Sequence, residues 1–217
     1  MLGRGLPILG SAPGHPMSKS DVAPLPPNLL PVPSVKQKTT FSCGSAATLA
    51  LLRYWQWEEY SHVEENDLRA ALHTTEANGT EPEPIAAFLD HKAGIRSNYR
   101  HDDVSVRDLE LAVDAGCPPL VDLQAWRDVD RPWKDVWDAG HYVVLVGYDA
   151  DRLFFMDPGT LTPGSYAFLR RDELEDRWHD LAGIEGYRVH HMAIFARGVT
   201  QPVALRAPIL EVATSLD

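Results

Sequence analysis

Between Ser42 and Trp57, apolar side chains fall on nearly every face of a helix: Ala46, Ala47, Leu49, Ala50, Leu51, Leu52, Tyr54 and Trp55. A helix apolar all round must be enclosed by the rest of its domain. The chain therefore has to supply a shell for this one segment, and the residues after 118 supply it as strands. There the hydrophobic period changes to two. Residues 120–126, 141–148, 153–156, 166–169 and 188–195 read as strands. The Asp149-Ala150-Asp151 turn makes an antiparallel hairpin of 141–148 and 153–156. Before the sheet come further helices. Ser61-His62-Val63-Glu64 resembles a capping box opening a helix through Leu68 and Leu72. Pro84 suits a first turn, with Ile85, Phe88 and Leu89 as a stripe that stops at Gly94. Ser105-Val106-Arg107-Asp108 opens a helix through Leu109, Ala112 and Val113, closed by Gly116. Another helix is expected over 171–181. Helices first and sheet second give an α+β fold, with N-terminal helices packed on a mostly antiparallel β-sheet.

Composition sets the boundaries. Eight of the 17 prolines lie in the first 34 residues, and such a stretch forms neither a helix interior nor a central strand. It reads as a flexible arm, or one laid across the domain surface. The expected organisation is an arm over 1–34, one domain over 35–200 and a C-terminal tail over 201–217. Twenty basic against 31 acidic residues give a net charge of −11, which argues against nucleic-acid and anionic-membrane partners. No apolar run reaches the length of a membrane span or a signal-peptide core, so a cytoplasmic protein is expected. Two cysteines exclude a disulfide scaffold and a four-cysteine metal site.

The chemistry is concentrated at element ends. In Gln37-Lys38-Thr39-Thr40-Phe41-Ser42-Cys43-Gly44 the cysteine sits where a loop enters the buried helix. The positive end of the helix dipole favours a thiolate there. Gly44 leaves room for a substrate carbonyl to approach the backbone. The Gln37 amide is placed to donate, with the Cys43 N–H, to an oxyanion. His141 follows Gly140 at the start of a strand, and Asp157 ends the next one. A turn centred near Ala150 sets His141 opposite residue 159 or 160, with Asp157 a diagonal neighbour within side-chain reach. An acid there fixes the imidazole, which activates the thiol: nucleophile, base and orienter. Each piece alone has a plainer explanation. Free cysteines are usually buried packing residues, a strand-edge histidine is usually only polar, and Asp157-Pro158-Gly159 is ordinary turn chemistry. The ordered set is what points to catalysis.

That set resembles the papain-like cysteine peptidases, and among them the bacteriocin-processing family that removes double-glycine leaders, with its stand-alone relatives. The resemblance is carried by Gln37, Cys43-Gly44, the helix to Tyr54-Trp55, Gly140-His141-Tyr142-Val143-Val144 and Asp157-Pro158. The helix-to-strand step 114–121 and the segment Asp172-Glu173-Leu174 with Trp178 fit it too, so it spans about residues 35 to 180. It implies a papain-like fold, with Cys43 as nucleophile, His141 as general base and acid, Asp157 as orienter and Gln37 in the oxyanion hole. A peptide or protein is the implied substrate, and no cofactor is called for.

The other candidates have local explanations. Cys117, beside Gly116 and Pro118, reads as a small buried hydrophobe. His190 and His191 point to opposite faces of a strand and cannot share a metal ion, so no metal ligand is expected. Glu58, Glu59, Glu64, Glu65 and Asp67 read as a solvated helix face, or else a docking patch for a basic peptide. Trp133 and Trp137, in the loop leading to Gly140 and His141, either anchor that loop or line a substrate groove. Three functions stand open on these residues: a cysteine peptidase, an acyl or peptidyl transferase using the same site, and a catalytically silent peptide-binding module.

Overall fold

A computed structural model describes residues 22–91, 94–128, 130–160, 164–183, 185–198 and 212–216. In chain order the elements are β1 (Val22–Pro24), α1 (Cys43–Trp55), α2 (Trp57–Tyr60), α3 (Glu65–Ala71), α4 (Pro82–Asp90), β2 (Ile95–Arg100), α5 (Val106–Asp114), β3 (Pro119–Gln124), β4 (Gly140–Tyr148), β5 (Arg152–Met156), β6 (Tyr166–Arg170), α6 (Arg171–Arg177), β7 (His179–Ala182), β8 (Tyr187–His190), β9 (Ala193–Gly198) and β10 (Val212–Ser215). Eight strands form one sheet in the order β1-β10-β6-β5-β4-β3-β9-β2, and β7 and β8 form a separate ribbon. Every pair in the large sheet is antiparallel except β10 with β6. This is the expected α+β class.

The sheet is covered on both faces, which explains why β4 reads as an almost unbroken apolar run. Tyr142, Val144 and Val146 face α1 together with Leu120, Phe154, Met156 and Ile194. Val143 and Leu145 face the other side, with Leu109 and Val113 of α5 and Leu174 and Trp178 of the α6 region. Helix α1 is buried along almost its whole length, as its all-round apolarity requires. It stops at Gln56, where φ is −138° and ψ 58°, before the expected end at Trp57. The Trp55 indole is held there by a hydrogen bond to the Ala196 carbonyl.

Several boundaries differ from expectation. The box before α3 is Glu64 with Asp67, not Ser61 with Glu64. Ser61 has helical dihedrals and closes α2, so it lacks the extended backbone of an N-cap. The acidic cluster is solvated at Glu58, Glu59, Glu64 and Asp67, of which Glu64 and Asp67 also cap α3; Glu65 alone is buried, 3.8 Å from Arg69. The helix expected over 171–181 ends at Arg177 and gives way to strand β7. The strand expected over 188–195 is two strands, broken at His191 with φ +50°. Strand β2 had no counterpart in the reading of the sequence. Residues 1–21 of the Pro-rich arm lie outside the described residues. Residues 22–34 run along the domain with a turn at 26–29, burying Ala23 and Val32. Of the stretch expected as a tail, residues 212–215 form β10 and Leu216 after it is buried; residues 201–211 and 217 lie outside the described residues. Among the described residues, no helix is long and apolar enough to cross a membrane.

The start of α5 follows the expected box closely. The Ser105 hydroxyl accepts from the Asp108 N–H at 3.2 Å, and the Asp108 carboxylate accepts from the Ser105 N–H at 2.9 Å. Ser105→Ala should cost about 1 kcal/mol, seen as a lower urea midpoint with an unchanged slope. An unchanged midpoint would show that the cap contributes nothing.

Candidate active site

Cys43 is the first residue of α1, and Ser42 before it makes no side-chain cap. The first bond of the helix runs from the Ala46 N–H to the Ser42 carbonyl. The N–H groups of Cys43, Gly44 and Ser45 therefore have no partner within the helix, and their positive ends gather where the thiol sits. Cys43 is buried, with 8% of the residue exposed. Burial alone would raise its pKa. The hydrogen bond and charge of His141, with the backbone N–H groups of Tyr142 and Gly44, bring it below the usual thiol value.

His141 is buried at the start of β4, and its Nε2 lies 2.6 Å from Asp157 Oδ1. The hairpin register accounts for this meeting. Val144 pairs with Met156 and Leu145 with Phe155, so the same register carries His141 opposite residue 159. Asp157 is fixed in turn by the Gly159 N–H, which donates to Oδ1 at 2.7 Å. The other ring nitrogen, Nδ1, is buried without a nitrogen or oxygen partner and is left for the Cys43 thiol. Burial would lower the His141 pKa, but the bonds and charges of Asp157 and Cys43 push it up to about 9. A raised imidazole beside a lowered thiol is the electrostatic signature of a thiolate–imidazolium pair.

Gln37 is delivered to the same place by the Pro-rich segment. The Leu30 N–H donates to the Val146 carbonyl at 2.6 Å, and the Tyr166 hydroxyl to the Val32 carbonyl at 3.0 Å. Gly147 permits this strap, since a Cβ there would lie 2.8 Å from Pro26 Cγ. The Gln37 N–H then donates to the Pro158 carbonyl at 3.0 Å, one residue beyond Asp157. One N–H of the side-chain amide is spent on the Thr39 carbonyl at 2.8 Å, and its second N–H remains available.

The remaining expected site residues divide. Gly140 lines both the cavity and the groove beside Cys43. At Gly44 the space is filled from within: a Cβ would lie 2.7 Å from Thr80 Cβ, so this glycine lets the 74–80 loop pack against the start of α1. Ser45, Thr74 and Thr80 join hydroxyls in a chain of 2.8 Å contacts that fixes that loop. Neither Trp133 nor Trp137 lines the groove. Trp133 stacks 3.9 Å beneath the Arg177 guanidinium. Trp137 lies 4.3 Å from His179 and under Arg188. Both anchor their loop. The aromatic beside His141 is instead Trp126, with ring centroids 4.8 Å apart and 45% of the residue exposed. Sequence reading missed it, although the β3–β4 register places it near the start of β4. Cys117 is buried and donates its thiol hydrogen to the Ala196 carbonyl. Burial pushes its pKa up to about 11. Both cysteines are free thiols.

A central helix packed on a mostly antiparallel sheet, with further helices around it, is the fold of the papain-like peptidases. Within that class the chain belongs to the peptidase C39-like family, whose model matches residues 29–185. Solved structures share the fold at low identity. A Bacillus anthracis protein described as a C39-like peptidase has 17% identity and a TM-score of 0.57, covering 80% of this chain and 98% of its own. The peptidase domain of Streptococcus ComA, a bifunctional ABC transporter of a quorum-sensing pathway, has 17% identity and a TM-score of 0.52, covering 77% and 98%. A double-glycine-motif protease from an AMS/PCAT transporter, in complex with the leader peptide, has 13% identity and a TM-score of 0.53, covering 81% and 98%. No curated protein matches the chain.

Proposed function

We propose that this protein is a cysteine peptidase that cleaves a peptide through Cys43, His141 and Asp157, with Gln37 in the oxyanion hole. The observation that carries the reading is the Cys43 thiol at the N-terminus of α1, where the first N–H groups have no partner within the helix, beside an imidazole held 2.6 Å from a carboxylate. The thiolate attacks the peptide carbonyl carbon and a C–S bond forms. The carbonyl oxygen becomes an oxyanion and accepts from the Cys43 N–H and the second N–H of Gln37 Nε2. His141 passes its proton to the leaving nitrogen, the C–N bond breaks, and the new amine departs past Trp126. His141 then takes a proton from water, which attacks the thioester and releases the Cys43 thiolate. Asp157 holds the imidazole in place throughout and stabilises its charged form.

A peptide is the substrate class, in keeping with the leader peptide bound by the double-glycine-motif protease of the same fold. The peptidase domain, in this reading, includes the strap over residues 22–34 and strand β10, since both bury apolar side chains against it. The test is a peptide pool incubated with the wild type and with Cys43→Ala, read by mass spectrometry. New termini made by the wild type alone support the reading. Equal cleavage by both proteins, or none by either, would overturn it.

A further inference from the structure

One feature of the site plays no part in the chemistry above. Beside Cys43 lies a largely enclosed cavity of about 60 Å³, lined among others by Thr80, Glu81, Asp122, Gly140 and Asp180. It adjoins a groove of about 370 Å³ that shares Cys43, Glu81, Gly140 and Asp180 and adds Asp138. Among the described residues lining the two, four are acidic and none is basic. Asp122 is the unusual member. It interrupts the apolar strand β3, is 6% exposed, and has an Oδ1 with no hydrogen-bond partner. A carboxylate oxygen is seldom left so in a protein interior, because leaving it unpaired is destabilising. Its neighbours are largely committed. Asp180 Oδ1 accepts from Gln124 Nε2 at 2.8 Å, Glu81 accepts from the Gly183 N–H at 2.7 Å, and Asp138 is bridged to Arg131. The room for Asp180 exists because residue 140 is glycine: a Cβ there would lie 1.9 Å from Asp180 Oδ2.

The cavity has a definite side. Neither Gln37, His141, Asp157 nor Trp126 lines it or the groove. The leaving amine must depart next to His141, so the cavity receives the acyl portion of a substrate. We infer that the Asp122–Asp180 cavity is a specificity subsite for an ammonium group carried on the acyl side of the cleaved bond. The inference rests on the reading of Cys43 as nucleophile. An ammonium is compact enough for the space and has three donors, which suit Asp122 Oδ1 and the Asp180 carboxylate. Burial, then the charge of Asp180, push Asp122 well up from its usual range. The two carboxyls also hydrogen-bond to each other, so a cation placed between them would relieve their mutual repulsion. Two sources share this chemistry: a lysine-type side chain within two residues of the bond, and the free α-amine of a short peptide.

The experiment compares rates of Cys43 alkylation by peptidyl chloromethyl ketones, with iodoacetamide as internal standard. The reagents are N-acetylated with lysine or norleucine at the first or second position before the ketone, plus glycyl-glycyl chloromethyl ketone with and without its acetyl group. One ammonium-bearing reagent should label Cys43 roughly 10- to 100-fold faster than its neutral counterpart. The acetylated lysine series and the free-amine reagent tell the two sources apart. In Asp122→Asn and in Asp180→Asn that ratio should fall towards one. Because each ratio is taken within one protein, a variant of reduced stability still gives a reading. Equal rates for every pair in the wild type, with brisk labelling by iodoacetamide, would overturn the subsite and leave the nucleophile standing. Failure of all reagents, iodoacetamide included, would contradict the nucleophile instead. NMR titrations of the protein with N-acetyl-lysyl-glycinamide and with glycyl-glycinamide then decide the subsite. Shifts at Asp122 and Asp180 with either ligand, absent with its neutral norleucine or N-acetyl counterpart, would uphold it, and their absence with both would overturn it.

Discussion

Cys43→Ala is expected to lower peptide cleavage by more than about 10³-fold, since removing the nucleophile of a cooperating set costs nearly as much as removing the whole set. Stability should change little. The thiol is a small group at the first position of α1, and the chain N-terminal to it is held by bonds that do not involve sulfur: Ser42 Oγ with Thr39, Gln37 with Pro158 and Leu30 with Val146. Steady-state rates paired with a thermal melt separate the two effects. Loss of activity with an unchanged melting temperature is the expected pair. Cleavage retained within about tenfold would place the chemistry elsewhere, because the residual oxyanion donors supply no covalent step.

Asp157→Asn is expected to lower kcat/KM by about 10²- to 10⁴-fold, the range for loss of a well-placed acid–base partner. It should also reshape the pH profile, and the sign follows from the site. In the proposed mechanism the active form carries a thiolate at Cys43 and a protonated His141. In the wild type the acid limb rises as Cys43 loses its proton below the usual thiol range. The alkaline limb falls as His141 loses its proton near pH 9. Burial opposes the imidazolium, and Asp157 is the largest influence supporting it. Without that carboxylate the His141 pKa drops, so the alkaline limb should move to lower pH. A variant that loses rate with no movement of this limb would show that Asp157 only shapes the backbone through the Gly159 N–H.

Residues whose environment is set locally were legible in the sequence. Helix α1 announced itself because no surface helix can be apolar all round. The His141–Asp157 meeting was legible to within one residue: the tight turn pairs Tyr148 with Leu153, and an irregularity between Leu145 and Gly147 then shifts the register by one, which sets His141 opposite residue 159. Where competition between elements decides, the sequence was silent. Residues 178–182 carry a helix-like pattern, yet Trp178 is buried with its indole donating to the Met192 carbonyl. That contact turns the chain out of α6 and into β7. Asp180 was therefore read as part of a helix and its place beside Gly140 could not be seen. Asp122 did leave a signal, as a lone charge within Leu120-Val121-Asp122-Leu123, a strand buried throughout. What it faces depends on the 78–82 loop and on β7, which no local pattern brings together. The same holds for Trp133, whose partner Arg177 lies 44 positions along the chain and gathers the Gln124, Ala125 and Leu216 carbonyls.

The proposed chemistry depends on one electrostatic pair, Cys43 with His141, and alkylation of both cysteines against pH, read by mass spectrometry in the wild type and in His141→Ala, tests it most directly. The structure predicts that Cys43 is labelled fast well below the usual thiol range and that this advantage disappears in His141→Ala. Cys117 should stay slow throughout, since burial pushes its pKa up to about 11. Equal, slow labelling of Cys43 that rises only near about pH 8.5, the range of an unactivated thiol, would contradict the pair and with it the proposed chemistry.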